Sequence, residues 1–307
     1  MVCRWALPAH NGGIPVYNRN LINALSKKID FSIVSHANEV NKDYYRSINI
    51  PFHEIKSIHP RWDRLSKFNF LNKLNKYLVD IKTSNNMAKS LTHIKPHIAE
   101  FMDIHSESLF FIKQKIINKL NTKIIIRSHT PWGLLRTTYN KKELNKADMW
   151  QSYENEKFCY ENCDVITVSS IDLKNKINNM YGTSHNKIYV LPNFVDTNFF
   201  ISEKTKIRKE KKAVTLLHVG RFQRAKGVET LIKAFINLSQ KSYNLELINI
   251  GEPRGDSYNK CVDWLKKKNL LHKVKFKGII NNDELPKYYN KSDIVIVPSE
   301  IYESFSY

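Results

Sequence analysis

Arg221 and Lys226 bracket a short glycine-bearing turn, Gly220-Arg221-Phe222-Gln223-Arg224-Ala225-Lys226-Gly227, and two cations so placed can neutralise a phosphate or a similar dense anion. The turn follows Val214, Leu216, Leu217 and Val219, which suit a buried strand, and precedes Leu231, Ile232, Phe235 and Leu238, which recur at helical spacing. It therefore has to turn sharply at a strand's carboxyl end and feed a helix N-terminus, where unpaired backbone N–H groups and the helix dipole favour an anion. Taken alone, the turn fits the plainer reading better, in which both cations are solvated loop residues.

Three further groupings could carry chemistry. His10-Asn11-Gly12-Gly13-Ile14-Pro15 lies between a short strand and a helix from Val16 to Lys28; paired glycines admit close backbone approach, and Pro15 suits a first helical turn. Read alone, the segment fits a plain tight turn somewhat better. Arg127-Ser128-His129-Thr130-Pro131 ends the strand KIIIR, which places His129 where it can donate a hydrogen bond or exchange a proton near neutral pH. Asp103 and His105 hold a similar position after the preceding strand. Pro298 to Tyr307 follows the strand DIVIV, and Glu303 within it has a carboxylate able to accept hydrogen bonds from sugar hydroxyls.

Stepping from these residues to the elements that hold them, apolar strands alternate with helical stretches along the whole chain, the rhythm of parallel α/β sheets. Strands are predicted at 2–6, 31–35, 97–102, 123–127, 164–168 and 187–191, and again at 213–219, 245–250, 273–277 and 293–297. Helices of the second series fall near 227–239, 257–268 and 283–291. A polar run from Pro192 to Lys212 parts the two series, giving a first domain over 1–195, a linker over 196–212 and a second domain over 213–307. The fold class is α/β, two Rossmann-like domains facing a cleft, with ligands at the strands' carboxyl ends.

At 307 residues the chain can bury two cores. No segment approaches the ~20 apolar residues of a membrane span. Arg4 and Pro8 interrupt any signal-peptide core, so the chain reads as cytoplasmic. Cys3, Cys159, Cys163 and Cys261 lack metal-ligand spacing and read as free buried thiols. The net charge of +20 implies an anionic partner: nucleic acid, a membrane surface or phosphorylated small molecules. Cations are densest from Lys56 to Lys95, where Lys67, Lys73 and Lys76 interleave with Trp62, Phe68, Leu71 and Tyr77. Two readings stand level there: a basic amphipathic helix at the inner face of an anionic membrane, or a packed helix with a solvated basic face. A nucleic-acid partner is not expected, for want of a recognition motif, nor a dehydrogenase, since no GxGxxG follows the first strand.

Taken in order, Gly12-Gly13, His129, the run Asp164 to Ser169, Pro192-Asn193, Val195-Asp196, Gly220-Arg221, Lys226-Gly227, Gly278 and Pro298-Ser299 with Glu303 resemble the retaining GT-B glycosyltransferases of family 4. The resemblance spans essentially the whole chain. It implies that Gly12 and Gly13 lie against donor and acceptor, that His129 contacts the transferred sugar, and that Arg221 and Lys226 neutralise a nucleotide diphosphate. Glu303 would be the first carboxylate of a Glu-x7-Glu pair and hold the sugar, with Gly278, Ser304, Phe305 and Ser306 completing the donor site. The second carboxylate of that pair would fall beyond Tyr307, so the second domain reads as incomplete. The implied activity moves a hexose, with retention, from a nucleotide-diphosphate sugar to a hydroxyl of a glycan or lipid-linked acceptor, in cell-surface polysaccharide synthesis. No metal or other cofactor is expected, because the two cations can do a metal's work and no Asp-x-Asp motif is present. The alternative is a truncated, inactive remnant with at most weak nucleotide binding.

Overall fold

The computed structural model describes residues 1–4, 6, 13–36, 38–56, 69–134, 146–202, 213–241, 243–253 and 255–305. They fall into two compact units, Met1–Phe194 and Val195–Ser306.

The first unit is one parallel sheet flanked by helices. Its strands are β1 (Ile33–His36), β2 (Phe52–Ile55), β3 (Ile98–Met102), β4 (Lys123–Ser128), β5 (Val165–Val168) and β6 (Ile188–Val190). β1 pairs with β2, and β3 to β6 pair in sequence. Val2 makes parallel bridges to both Val34 and Phe101, so the N-terminal segment joins the two sets and the strand order reverses on either side of it. That reversal is the switch point at which open α/β sheets bind ligands. The expected strand at 2–6 is reduced to this bridge. β2 was not anticipated, because Phe-His-Glu-Ile carries two polar residues and only Ile55 is fully buried.

The helices of this unit are α1 (Gly13–Leu25), α2 (Glu39–Ser47), α3 (Asn69–Ile94), α4 (Leu109–Asn118), α5 (Lys146–Asn162) and α6 (Ile171–Tyr181). α6 is defined by its ends: the Ser170 hydroxyl accepts from Leu173 N–H, and Gly182 closes the helix at φ 65°. The expected basic helix is partly described. Trp62, Lys67 and Phe68 lie outside the described residues, while α3 packs against α4, β1 and β2. It buries Thr83, Ser84, Met87, Ala88 and Leu91 and turns Lys82 and Lys89 to water, so over this stretch the packed reading holds. No described helix is long and apolar enough to cross a membrane. The four cysteines are free and buried, and burial pushes each thiol up to about 12.

The second unit repeats the theme with β7 (Val214–Val219), β8 (Leu245–Ile250), β9 (Val274–Phe276) and β10 (Ile294–Val295), all parallel in the order β10-β7-β8-β9. Its helices are α7 (Val228–Gln240), α8 (Asp256–Lys267) and α9 (Leu285–Lys291). α7 buries Leu231, Ile232 and Phe235 of the expected stripe, with Val228 added at its first turn, while Leu238, one turn further on, is exposed. The buried side chains close a core with Leu216, Leu247, Cys261 and Leu265, and each large apolar side chain so buried stabilises by roughly 1.5–3 kcal/mol.

Candidate functional site

At the carboxyl ends of β7 to β10, four loops are tied into one surface by backbone hydrogen bonds. Gly220 N–H donates to Ile250 carbonyl (2.8 Å), Gly251 N–H to Gly278 carbonyl (2.8 Å), Phe222 N–H to Glu252 carbonyl (3.3 Å) and Glu300 N–H to Ala225 carbonyl (3.0 Å). Two glycines make the approach possible. At Gly227, φ is 68° and a Cβ would lie 1.8 Å from the Pro298 carbonyl oxygen; at Gly251, φ is 144° and a Cβ would lie 1.9 Å from the Gly220 carbonyl oxygen. Neither site can hold a side chain without moving a neighbouring loop.

The turn after β7 behaves as its sequence requires. Arg224–Lys226 form one 3-10 turn and Gly227, in the left-handed region, starts α7 with no side-chain cap on the helix N-terminus. Arg221 is exposed. The Lys226 ammonium ion-pairs directly with the Glu303 carboxylate, which also accepts from Ser299 Oγ at 2.5 Å. Thr230 Oγ1 donates to Glu300 at 2.6 Å, pinning the Pro298–Phe305 loop to the first turn of α7. The sequence-predicted cation and carboxylate are thus brought together, and Gly278 joins them through its bond to Gly251.

Beneath this turn lies a polar pair that the sequence did not reveal. His218 on β7 and Asn249 on β8 stand in direct register, both buried, with Asn249 Nδ2 donating to His218 Nδ1 at 2.7 Å. Burial, reinforced by the Lys226 charge and opposed by Glu303, holds the imidazole down to about 4. Only cross-strand register reveals this pair, and one strand's sequence does not contain it.

In the first unit, His129 follows β4. Its backbone N–H donates to Asp103 Oδ2 (3.1 Å), which also accepts from Ser128 Oγ (2.8 Å) and Tyr160 OH (3.3 Å). Burial still raises the Asp103 carboxyl to about 6 against these donors. The His129 ring packs edge-on to Tyr17 of α1 at 5.2 Å, and its Nε2 is buried with no hydrogen-bond partner among the described residues. Burial and the neighbouring Arg127 charge push the imidazole down to about 3, so it is neutral at any physiological pH. Arg127, buried, stacks over Tyr17 at 4.8 Å and donates to Asn193 Oδ1 at 2.5 Å. Tyr17 OH in turn donates to Glu100 at 3.0 Å.

The His129 loop is clamped from behind. Glu156 of α5 accepts from Trp132 N–H (2.6 Å), Gly133 N–H (3.0 Å) and Tyr181 OH (2.5 Å), and burial raises its carboxyl to about 7 despite these donors. At the switch point, Arg4 contacts Asp80 at 2.6 Å and Glu107 at 3.4 Å. Burial raises Glu107 to about 8. His105, whose φ is 57°, is bound to Asp80 at 3.1 Å.

Of the other predicted residues, Gly13 opens α1 one turn before Tyr17, Ser304 is half-buried and Phe305 is exposed. Gly12 and Ser306 lie outside the described residues. Among the described residues, no three His, Cys, Asp or Glu side chains are grouped to hold a metal ion.

Comparison with known proteins adds the family. Residues 11–199 match the model of Glycosyltransferase Family 4, and residues 200–307 match that of Glycosyl transferases group 1. An uncharacterized glycosyltransferase of Methanocaldococcus jannaschii is 34% identical over 155 residues, 48% of this chain and 38% of that protein. An uncharacterized 41.2 kDa protein in the cps region of Klebsiella pneumoniae is 27% identical over 75% of this chain and 59% of its own length. The chain therefore spans less than two thirds of these curated relatives. Among solved structures, sucrose-phosphate synthase from Thermosynechococcus elongatus aligns at TM-score 0.70 and 16% identity, over 96% of this chain and 72% of that one. Anabaena HepE in complex with UDP and glucose aligns at TM-score 0.65 and 14% identity, over 99% and 75%. These are GT-B folds, and with a family model matched over more than half its length, this chain belongs to glycosyltransferase family 4.

Proposed function

We propose that the protein transfers a hexose from a nucleotide-diphosphate sugar to a hydroxyl of a glycan or lipid-linked acceptor, with retention at the anomeric carbon. The observation that carries this reading is the turn at the head of α7, where Arg221, Lys226 and an uncapped helix N-terminus converge and Glu303 reaches Lys226. As the bond between the anomeric carbon and the phosphate oxygen breaks, charge grows on the departing diphosphate. Fixed cations there stabilise the transition state more than the ground state. The acceptor oxygen bonds to the anomeric carbon, and its proton passes to the leaving phosphate oxygen, so no separate base is required. Glu303 orients the sugar.

Two comparisons support the substrate classes. The Anabaena protein binds UDP and glucose, and relatives include the cps-region protein and a Salmonella typhimurium lipopolysaccharide 1,2-N-acetylglucosaminetransferase, 30% identical over 98 residues. These relatives support a role in cell-surface polysaccharide synthesis, and the chain's positive charge suits work at the anionic inner face of a membrane. In this reading the cations replace a metal.

Thermal melting with UDP, GDP and UDP-glucose, each in excess EDTA and again in Mn²⁺, tests the reading. At least one nucleotide should raise Tm equally in both, and Arg221→Ala and Lys226→Ala should abolish the shift. No shift with any nucleotide, or one that requires Mn²⁺, would overturn it.

A further inference from the structure

His218 is unexplained by packing alone: an aliphatic residue would fill the same strand position without the cost of burying two ring nitrogens. Its geometry is specific. With Nδ1 accepting from Asn249 Nδ2 at 2.7 Å, the single ring proton of the neutral imidazole resides on Nε2. That edge of the ring lies under the functional turn, since a Cβ at Gly220 would sit 3.3 Å from both Cε1 and Nε2. It also lies within electrostatic reach of Lys226 and Glu303.

We propose that His218 is a third donor of the anion cradle, its Nε2–H directed to a phosphoryl oxygen of a nucleoside diphosphate held over the Gly220–Arg221 turn. This rests on reading Arg221 and Lys226 as diphosphate ligands. The three groups divide the work. The cations supply attraction that depends weakly on orientation, whereas an N–H donor demands near-linear geometry and so fixes the phosphate's position. Asn249 is the positioning residue: by occupying Nδ1 it selects the tautomer that keeps the ring's donor on Nε2, the edge beneath Gly220. Because burial and Lys226 keep the ring neutral, the donor persists through neutral pH without adding a third charge to the site.

Two substitutions separate this role from a structural one. His218→Asn puts an amide oxygen where Nδ1 was, preserving the bond to Asn249, but removes the Nε2 donor. His218→Gln places an N–H near the Nε2 position and gives up the cross-strand bond. With pyrophosphate and UDP as probes in titration calorimetry, His218→Asn should weaken both by about tenfold or more, and His218→Gln by less than about threefold. Equal affinity of His218→Asn and wild type would overturn the proposal, as would a larger loss in His218→Gln than in His218→Asn. If wild type binds neither probe, the cradle itself is misread and the proposal falls with it. If Lys226→Ala abolishes binding while His218→Asn does not alter it, the cradle stands and only the role of His218 is refuted.

Discussion

His129 and Lys226 are prepared in different ways, the first by burial and the second by an ion pair. His129 is held neutral, pushed down to about 3 by burial and Arg127, so its contribution is a hydrogen bond and not a charge. A protonated histidine with an ordinary pKa would give turnover an acid limb near pH 6.5. Here kcat/KM measured from pH 5.5 to 8 should show no such limb from this residue, and His129→Ala should lower kcat by about 10²-fold. A limb near 6.5 that vanishes in His129→Ala would show the ring to be protonated in the working protein. Lys226 is already engaged with Glu303, so an incoming phosphate competes with a carboxylate.

At the scale of elements, the turn from β7 into α7 depends on one residue's backbone. Gly182 and Gly227 share nearly the same φ, 65° and 68°, but a Cβ at Gly182 meets nothing within 4 Å, while at Gly227 it strikes the Pro298 carbonyl. Gly182→Ala should cost about 1–2 kcal/mol, the left-handed penalty alone, and Gly227→Ala should cost more, because the Pro298 loop must move as well. Urea midpoints of the two variants test this, and equal losses would show that the loop yields freely. The same element marks what was legible in sequence. Strand, turn and helix over Val214–Gln240 were readable because the period switches from buried run to helical stripe around a glycine pair. β2 was not, since its polar residues hide the pattern. The His218–Asn249 pair and the Glu156 clamp on Trp132 and Gly133 were beyond reach for another reason. They join residues distant in sequence whose meeting depends on strand register and helix packing. The candidate residues Lys226 and Glu303 were found individually, but their direct contact was not.

For the molecule as a whole, buried acids govern the pH response. Glu107 at about 8 and Glu156 at about 7 have folded values above the ordinary carboxylate range. Such groups contribute stability that is fully present below their unfolded pKa and is lost as pH rises through the folded value. The neutral histidines act oppositely, losing stability as pH falls below about 6.5 toward their depressed values. Stability should therefore decline from pH 6.5 to 8, with a lower urea midpoint at pH 8, and Glu156→Gln should flatten that decline. A midpoint that rises over the interval would show both carboxyls ionised in the folded chain. These opposed shifts also bear on how the molecule looks from a distance. The formal +20 counts every acidic side chain as ionised and every histidine as neutral; near pH 6.5 the protons that Glu107 and Glu156 hold in the folded chain are offset by those that His129 and His218 give up on folding. The long-range field that draws anions inward is therefore the one the lysine and arginine excess writes into the chain, and capture of a diphosphate should slow as ionic strength rises.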